Sequence, residues 1–346
     1  MLFSLESDTG NLVRFYVAPD AFSEIPSVIV CGHDRELMTI EANEVRDALV
    51  VARRHETGWC GFRLDLNLLP DLPQIDDLVV YEKSSGIMIY RRPAPHHIQK
   101  KIFRIETGLF PQHGLDKFLI GQFQHSVQSI EKLGLESSTQ LFLIANVPSI
   151  YLSGRLLYNP YSFYIEGRFE TVACIDDPYF ALAERLLVIS RMDDERGALI
   201  LGDRDFLLFR SAIAFAKELK FDDGKSLRRM LRSLPEEIAV AVVNPLTRQL
   251  TCSTPDEMPR RGAVAAALDR LSTYAIVGLR QEERPFKEVL GAFLGVEAAS
   301  IPLAASLSSV TALAQILREE ARVESLIESD LEIYTYVRNA HQVSSG

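Results

Sequence analysis

One turn of the chain combines residue types that could hold an anion, and a second reads as a capped helix start. The first contains Asn146, Ser149, Ser153, Gly154 and Arg155, with Pro148 suited to a first helical turn. Hydroxyls, a glycine and a cation at a helix N-terminus can bind phosphate or sulfate through backbone amides. Arg248 offers a second cation. The other place is Asp176-Asp177-Pro178, where Asp177 can cap a helix and face the positive end of its dipole. Between them lie Tyr158, Tyr161, Phe163 and Tyr164, whose rings can either stack on a sugar or fill a core. No Walker loop and no dinucleotide fingerprint is present. No histidine lies between Asn146 and Asp176, so His125 and Glu166 are the candidates for a general base. Cys31 and His33 alone do not make a metal site.

These side chains need elements to hold them. The run TQLFLIANV (Thr139–Val147) has the length of a strand, and the segment from Pro148 through Arg155 reads as the helix after it. ETVACI (Glu170–Ile175) reads as a second strand. A helix follows with an apolar stripe at Leu182, Ala183, Leu186 and Leu187. Strand, turn, helix, repeated, predicts a parallel α/β sheet with the two strands adjacent. Ligands in such sheets bind outside the carboxyl ends of the strands, where both turns would open. Ile98–Ile105 and Leu115–Leu133 also carry apolar residues at helical spacing.

A chain of 346 residues suggests two domains. The expected division is 1–92, a linker at 93–97 and 98–346. In the first part LVRFYVA, SVIVCG, LMTIEA, DALVVAR, GFRLDL, LVVYE and IMIYR are short β-rich runs separated by turn residues. They predict an all-β sandwich or open barrel, with LVVYE-KSSG-IMIYR as a hairpin turning at Gly86. Trp59 and His55 sit in a glycine-rich corner, as a core plug or as a ligand-contact loop. Arg91-Arg92-Pro93-Ala94-Pro95-His96-His97 breaks the pattern and reads as a solvated hinge or a phosphate contact.

Hydrophobic residues at 47% and charged residues at 24% are ordinary globular composition. A net charge of -10 argues against nucleic-acid binding. The start has no signal-peptide pattern and no stretch reaches membrane-spanning length. The four cysteines are spaced as free thiols. A cytoplasmic protein without a metal is expected.

Two resemblances add to this reading. The pattern VRDALVVARRHETGWCGFRLDL, on Arg46, Asp47, Gly58, Gly61 and Phe62, resembles β-modules attached to enzymes of bacterial surface-polysaccharide assembly. From about Leu141 to Val337 the chain resembles the carbohydrate sulfotransferase family. The matching residues are Asp177-Pro178-Tyr179, then Asn244, Arg248 and Leu250. Val277-Gly278-Leu279 with Glu282 follows, and Asp330 with Tyr334 closes the match. This resemblance implies a sulfotransferase-like, P-loop-like α/β domain with PAPS as the sulfuryl donor. It implies donor contacts at Asn146, Ser149, Ser153, Gly154, Arg155 and Arg248. A polysaccharide or glycolipid acceptor would then meet Tyr158, Tyr161 and Tyr164. The family grips the 3′-phosphate of PAPS with an Arg and a Ser, and here those slots hold Asp176 and Glu184. The first loop also lacks the family's Lys. Two functions follow as expectations: a sulfotransferase-like enzyme, or a non-catalytic polysaccharide-binding or assembly protein that keeps the fold without the PAPS site.

Overall fold

The structure is a computed structural model that describes residues 1–33, 35–192, 201, 203–221 and 224–344. It divides into two compact units. Unit one comprises 1–101, 119–128 and 133–152, so residues 93–97 lie inside it. Unit two comprises 102–118, 129–132 and 153–346.

The strands in chain order are β1 (Leu2–Asp8), β2 (Leu12–Ala18), β3 (Ser27–Gly32), β4 (Arg35–Glu41), β5 (Glu44–Val45), β6 (Trp59–Asp65), β7 (Val79–Glu82) and β8 (Met88–Arg91). They continue with β9 (Lys101–Ile105), β10 (His125–Val127), β11 (Ile150–Gly154), β12 (Glu170–Ile175) and β13 (Ile276–Leu279).

Unit one holds two four-stranded antiparallel sheets, β1-β2-β6-β5 and β4-β3-β7-β8. Alternation explains them. In β2 the side chains of Val13, Phe15 and Val17 are buried, and Phe15 stacks on Phe62 of β6 at 4.9 Å. Burying each such side chain stabilises by roughly 1.5–3 kcal/mol. The expected hairpin is β7–β8, with Gly86 at φ +69. DALVV, expected as a strand, is instead a helix (Asp47–Val51). Its ladder position beside β6 is taken by β5, with Val45 opposite Trp59, so the segment closes its own hydrogen bonds. His55 is buried, contacts the Glu24 carbonyl through Nε2, and accepts the Gly58 amide on Nδ1. Trp59 is 44% exposed and is not a core plug.

The basic segment that begins at the end of β8 is anchored within unit one at Arg91, Arg92 and His97. Arg91 donates to the carbonyls of Ile120 and Phe123, and Arg92 pairs with Asp8 at 2.9 Å. His97 is buried and accepts the Ala94 amide, and burial pushes its pKa down to about 4.

The later sheet is five-stranded, in the order β10-β11-β9-β12-β13. The β12–β9 and β12–β13 pairs are parallel, as is β10–β11. ETVACI is β12, as expected, but two other expectations fail. Thr139–Phe142 is the second half of a helix, Leu135–Phe142, whose Ser137, Ser138, Leu141 and Phe142 are buried at helical spacing. Ile150–Gly154, expected within a helix, is β11. The neighbours of β12 are therefore β9 and β13. Ile98–Ile105 contains β9 and no helix: Ile102, Phe103, Arg104 and Ile105 are all buried, so the strand is covered on both faces and shows no alternation.

Helices of unit two pack on one another. Leu182, Leu186 and Ile189 of the helix Pro178–Ser190 share one apolar cluster with Ile213, Val310, Leu313 and Leu317. Asp177 caps that helix as expected, accepting the amides of Tyr179 and Phe180 at 3.0 and 3.2 Å. Among the described residues no helix is long and apolar enough to cross a membrane.

Gly154 has a packing reason. A Cβ there would lie 2.5 Å from Glu131 Oε2 and 2.9 Å from the Ile130 backbone nitrogen. Gly154→Ala is expected to destabilise unit two by roughly 1–3 kcal/mol, read as a lowered urea midpoint at unchanged slope.

Candidate functional site

The strand–loop–helix turn of the α/β sheet is at β9, not at Pro148. In the sheet order β9 leads on to β10 on one side and its neighbour β12 leads to β13 on the other, which puts a topological switch point between the carboxyl ends of β9 and β12. The loop after it runs from Glu106 to Gln112, and the helix His113–Ile120 follows.

A buried polar network shapes the start of this loop. Arg104 Nη1 donates to Glu106 Oε2 and Arg104 Nη2 to Asp116 Oδ1, each at 2.8 Å. Ser153 Oγ donates to the same Asp116 oxygen at 2.7 Å. The Gln112 amide donates to Glu106 Oε2 at 2.9 Å. Thr107 Oγ1 donates to the Cys174 carbonyl at 2.8 Å, tying the loop to β12. Charge-assisted bonds of this kind are short and hold the loop in one shape.

Glu184 completes it. Its carboxylate reaches from the helix Pro178–Ser190 and accepts the Phe110 amide at 2.8 Å. Two amides of the loop, at Phe110 and Gln112, thus already serve carboxylates of the chain itself. In an anion site at such a turn, those donors would face phosphate or sulfate oxygens.

Beside the loop is a cavity of about 350 Å³, lined by Phe110, Gln112, Asp176, Phe180, Glu184 and Arg280 among others. Asp176 follows β12, and its side chain is only 9% exposed. Its Oδ1 has no hydrogen-bond partner, although Arg280 Nε lies 3.7 Å away. Arg280 Nη2 donates to the Ala304 carbonyl at 2.6 Å. Burial pushes the Asp176 carboxyl up to about 7, against the opposing pull of Arg280. Burial also raises the Glu184 carboxyl, outweighing the bond from Phe110.

The expected anion-site residues lie elsewhere or are already engaged. In unit one Asn146 is exposed in the connection before β11. Ser149 is buried and accepts the Gln124 amide at 3.0 Å. In unit two Ser153 is bonded to Asp116, and the Arg155 amide donates to Glu131 at 2.9 Å. Arg248 is buried and donates to the carbonyls of Val240, Pro255 and Glu257, which makes it a brace between backbone segments. Asn244 and Asp330 hold the same region together. Asp330 accepts the amides of Leu246 and Thr247 at 3.0 and 2.8 Å, and Asn244 Oδ1 accepts the Asp330 amide at 3.1 Å.

The aromatic candidates divide. Tyr158 and Tyr161 are 1% and 4% exposed, so their rings offer no face to a sugar. Arg270 stacks over Tyr158 at 4.4 Å. Tyr164 is half-buried against Phe163, and Phe163 is the exposed ring of the group.

Asp176 and Glu184, by contrast, do line one cavity. Glu106, Phe110, Gln112 and Arg280 were missed. The signal for the first three was present: Gly108 and Pro111 bracket a break between the run KIFRI and an amphipathic segment. A scan of protein-family models matched none to this chain, and a search of curated proteins found no relative.

Proposed function

We propose that this chain is a non-catalytic binding or assembly protein of bacterial surface-polysaccharide or glycolipid metabolism. On this reading its second unit keeps a sulfotransferase-like, P-loop-like arrangement, with the PAPS site closed by the chain's own carboxylates. One observation carries the reading: Glu184 occupies the Phe110 amide at the turn after β9, beside the buried Asp176. A donor phosphate there would have to displace one carboxylate and approach another. Like charges about 4 Å apart repel by roughly 4 kcal/mol at an effective dielectric near 20. The loop from Glu106 to Gln112 contains no lysine or arginine to offset that repulsion.

The polysaccharide context rests on the sequence resemblances alone. The reading includes a cytoplasmic location, which four free cysteines suit, and no nucleic-acid partner, in keeping with the net charge of -10. The test is incubation with radiolabelled PAPS and a panel of acidic and neutral oligosaccharides. The expected result is no transfer of label above a protein-free control. Time-dependent labelling of any oligosaccharide would instead establish an active sulfotransferase.

A further inference from the structure

We infer that a cavity at the end of β8 binds a small organic carboxylate on the Nε–Nη2 edge of Arg91, with His97 as a neighbouring donor. The cavity measures about 660 Å³, and all of its lining residues belong to unit one. Arg91 is fixed by its other side. Its Nη1 donates to the carbonyls of Ile120 and Phe123 at 2.9 and 3.0 Å. Among the described residues no carboxylate pairs with Arg91, and its Nε and Nη2 meet no acceptor. Three other arginines of unit one show what that edge takes. Arg14 sets Nε and Nη2 on Glu44, Arg46 on Glu6 and Arg92 on Asp8, at 2.7 to 3.2 Å. The paired N–H groups of this edge match the two oxygens of a carboxylate. At Arg91 the chain supplies the fork and leaves the carboxylate to a ligand.

His97 is a second, independent pointer. It lines the same cavity and is only 6% exposed. Its Nδ1 accepts the Ala94 amide at 2.9 Å, so the proton of the neutral ring sits on Nε2. Burial, with His96 and Arg91 close by, keeps the ring neutral at neutral pH. Nε2 is then a donor. Among the described residues it has no acceptor, and it is not sealed within the core. Buried polar groups are nearly always satisfied, so donors left open at one cavity point to acceptors on a ligand.

The layout of charge decides which acceptor. Glu36, Cys31, Val79 and Arg91 stand in register across β4, β3, β7 and β8, and all four line the cavity. Three strand spacings of roughly 4.8 Å put Glu36 about 14 Å from Arg91 along that row. Asp77 is likewise on the β3 side, where it accepts the His33 amide at 2.6 Å. One negative charge at the β8 end is therefore favoured. A doubly charged anion gains less, because the carboxylates of Glu36, Asp76 and Asp77 repel its second charge.

The test compares benzoate, its neutral isostere benzamide and inorganic phosphate by calorimetry on the full chain at neutral pH. Benzoate is expected to bind at least about tenfold more tightly than either of the others. Arg91→Lys keeps the charge and loses the paired N–H groups. It should weaken benzoate at least about tenfold and leave benzamide unchanged. If that variant does not fold, a crystal structure of the unmodified protein with benzoate decides, and should show the carboxylate on Arg91 Nε and Nη2. Five results would overturn the inference. They are no binding of benzoate, equal binding of benzoate and benzamide, phosphate as tight as benzoate, unchanged affinity in a folded Arg91→Lys, and benzoate seated away from Arg91.

Discussion

Asp176→Asn is expected to stabilise the protein near neutral pH, and to do so more as the pH rises. The Asp176 carboxyl sits at about 7 in the folded chain against an ordinary value of 3.8. A raised carboxyl pKa means the folded state holds a proton that the unfolded state releases. Below the unfolded value both states are protonated and nothing is lost. Between about 4 and about 7 stability falls as pH rises, and above that the loss is constant. Three pH units correspond to on the order of 4 kcal/mol at about 1.36 kcal/mol per unit, an upper bound because the variant also gives up the approach of Arg280. Glu184, raised in the same direction, adds to the slope. Urea midpoints near pH 5 and pH 8 measure this. Wild type should be less stable at the higher pH, and Asp176→Asn should show a flatter profile. A wild-type midpoint that rises with pH, or an asparagine variant weaker at pH 8, would contradict the account.

The second large effect is a gain. Asp176→Arg combined with Glu184→Ser removes both carboxylates from the cavity wall and releases the Phe110 amide. That double variant is expected to bind adenosine 3′,5′-bisphosphate at least about tenfold more tightly than wild type, a difference of about 1.4 kcal/mol. Each substitution alone should give less, because one carboxylate still faces the phosphate. Calorimetry on variants with an intact far-ultraviolet spectrum and melting transition is the check. Equal affinity in wild type and a folded double variant would show that the carboxylates are not the obstacle.

The sequence made some of this legible and hid the rest for identifiable reasons. In unit one β2 and β3 alternate cleanly and fall where LVRFYVA and SVIVCG place them. β12 and its capped helix were equally plain, because an apolar run, Asp177-Pro178 and a helical stripe agree with one another. The turn after β9 was not. Ile98, Ile102 and Ile105 fall at helical spacing, and a strand buried on both faces shows no alternation to oppose it, so the strand that centres the sheet was read as a helix. TQLFLIANV misled in the opposite sense: its apolar density suggested a strand, while the helix begins at Leu135, outside the run. Misplacing that turn sent the search for an anion site to Ser149, Ser153 and Arg155, whose polar groups are bonded within the chain. Asp176 and Glu184 were singled out only because they stand where the resemblance expects Arg and Ser. Their meeting in one cavity depends on helix geometry and on a loop that local pattern does not reveal.

The most direct measurement is a calorimetric titration of the unmodified protein with adenosine 3′,5′-bisphosphate at neutral pH. With Glu184 on the Phe110 amide and Asp176 at the wall, no heat of binding is expected up to millimolar ligand, a limit of about -4 kcal/mol in binding free energy. Saturable binding in the micromolar range would contradict the closed site.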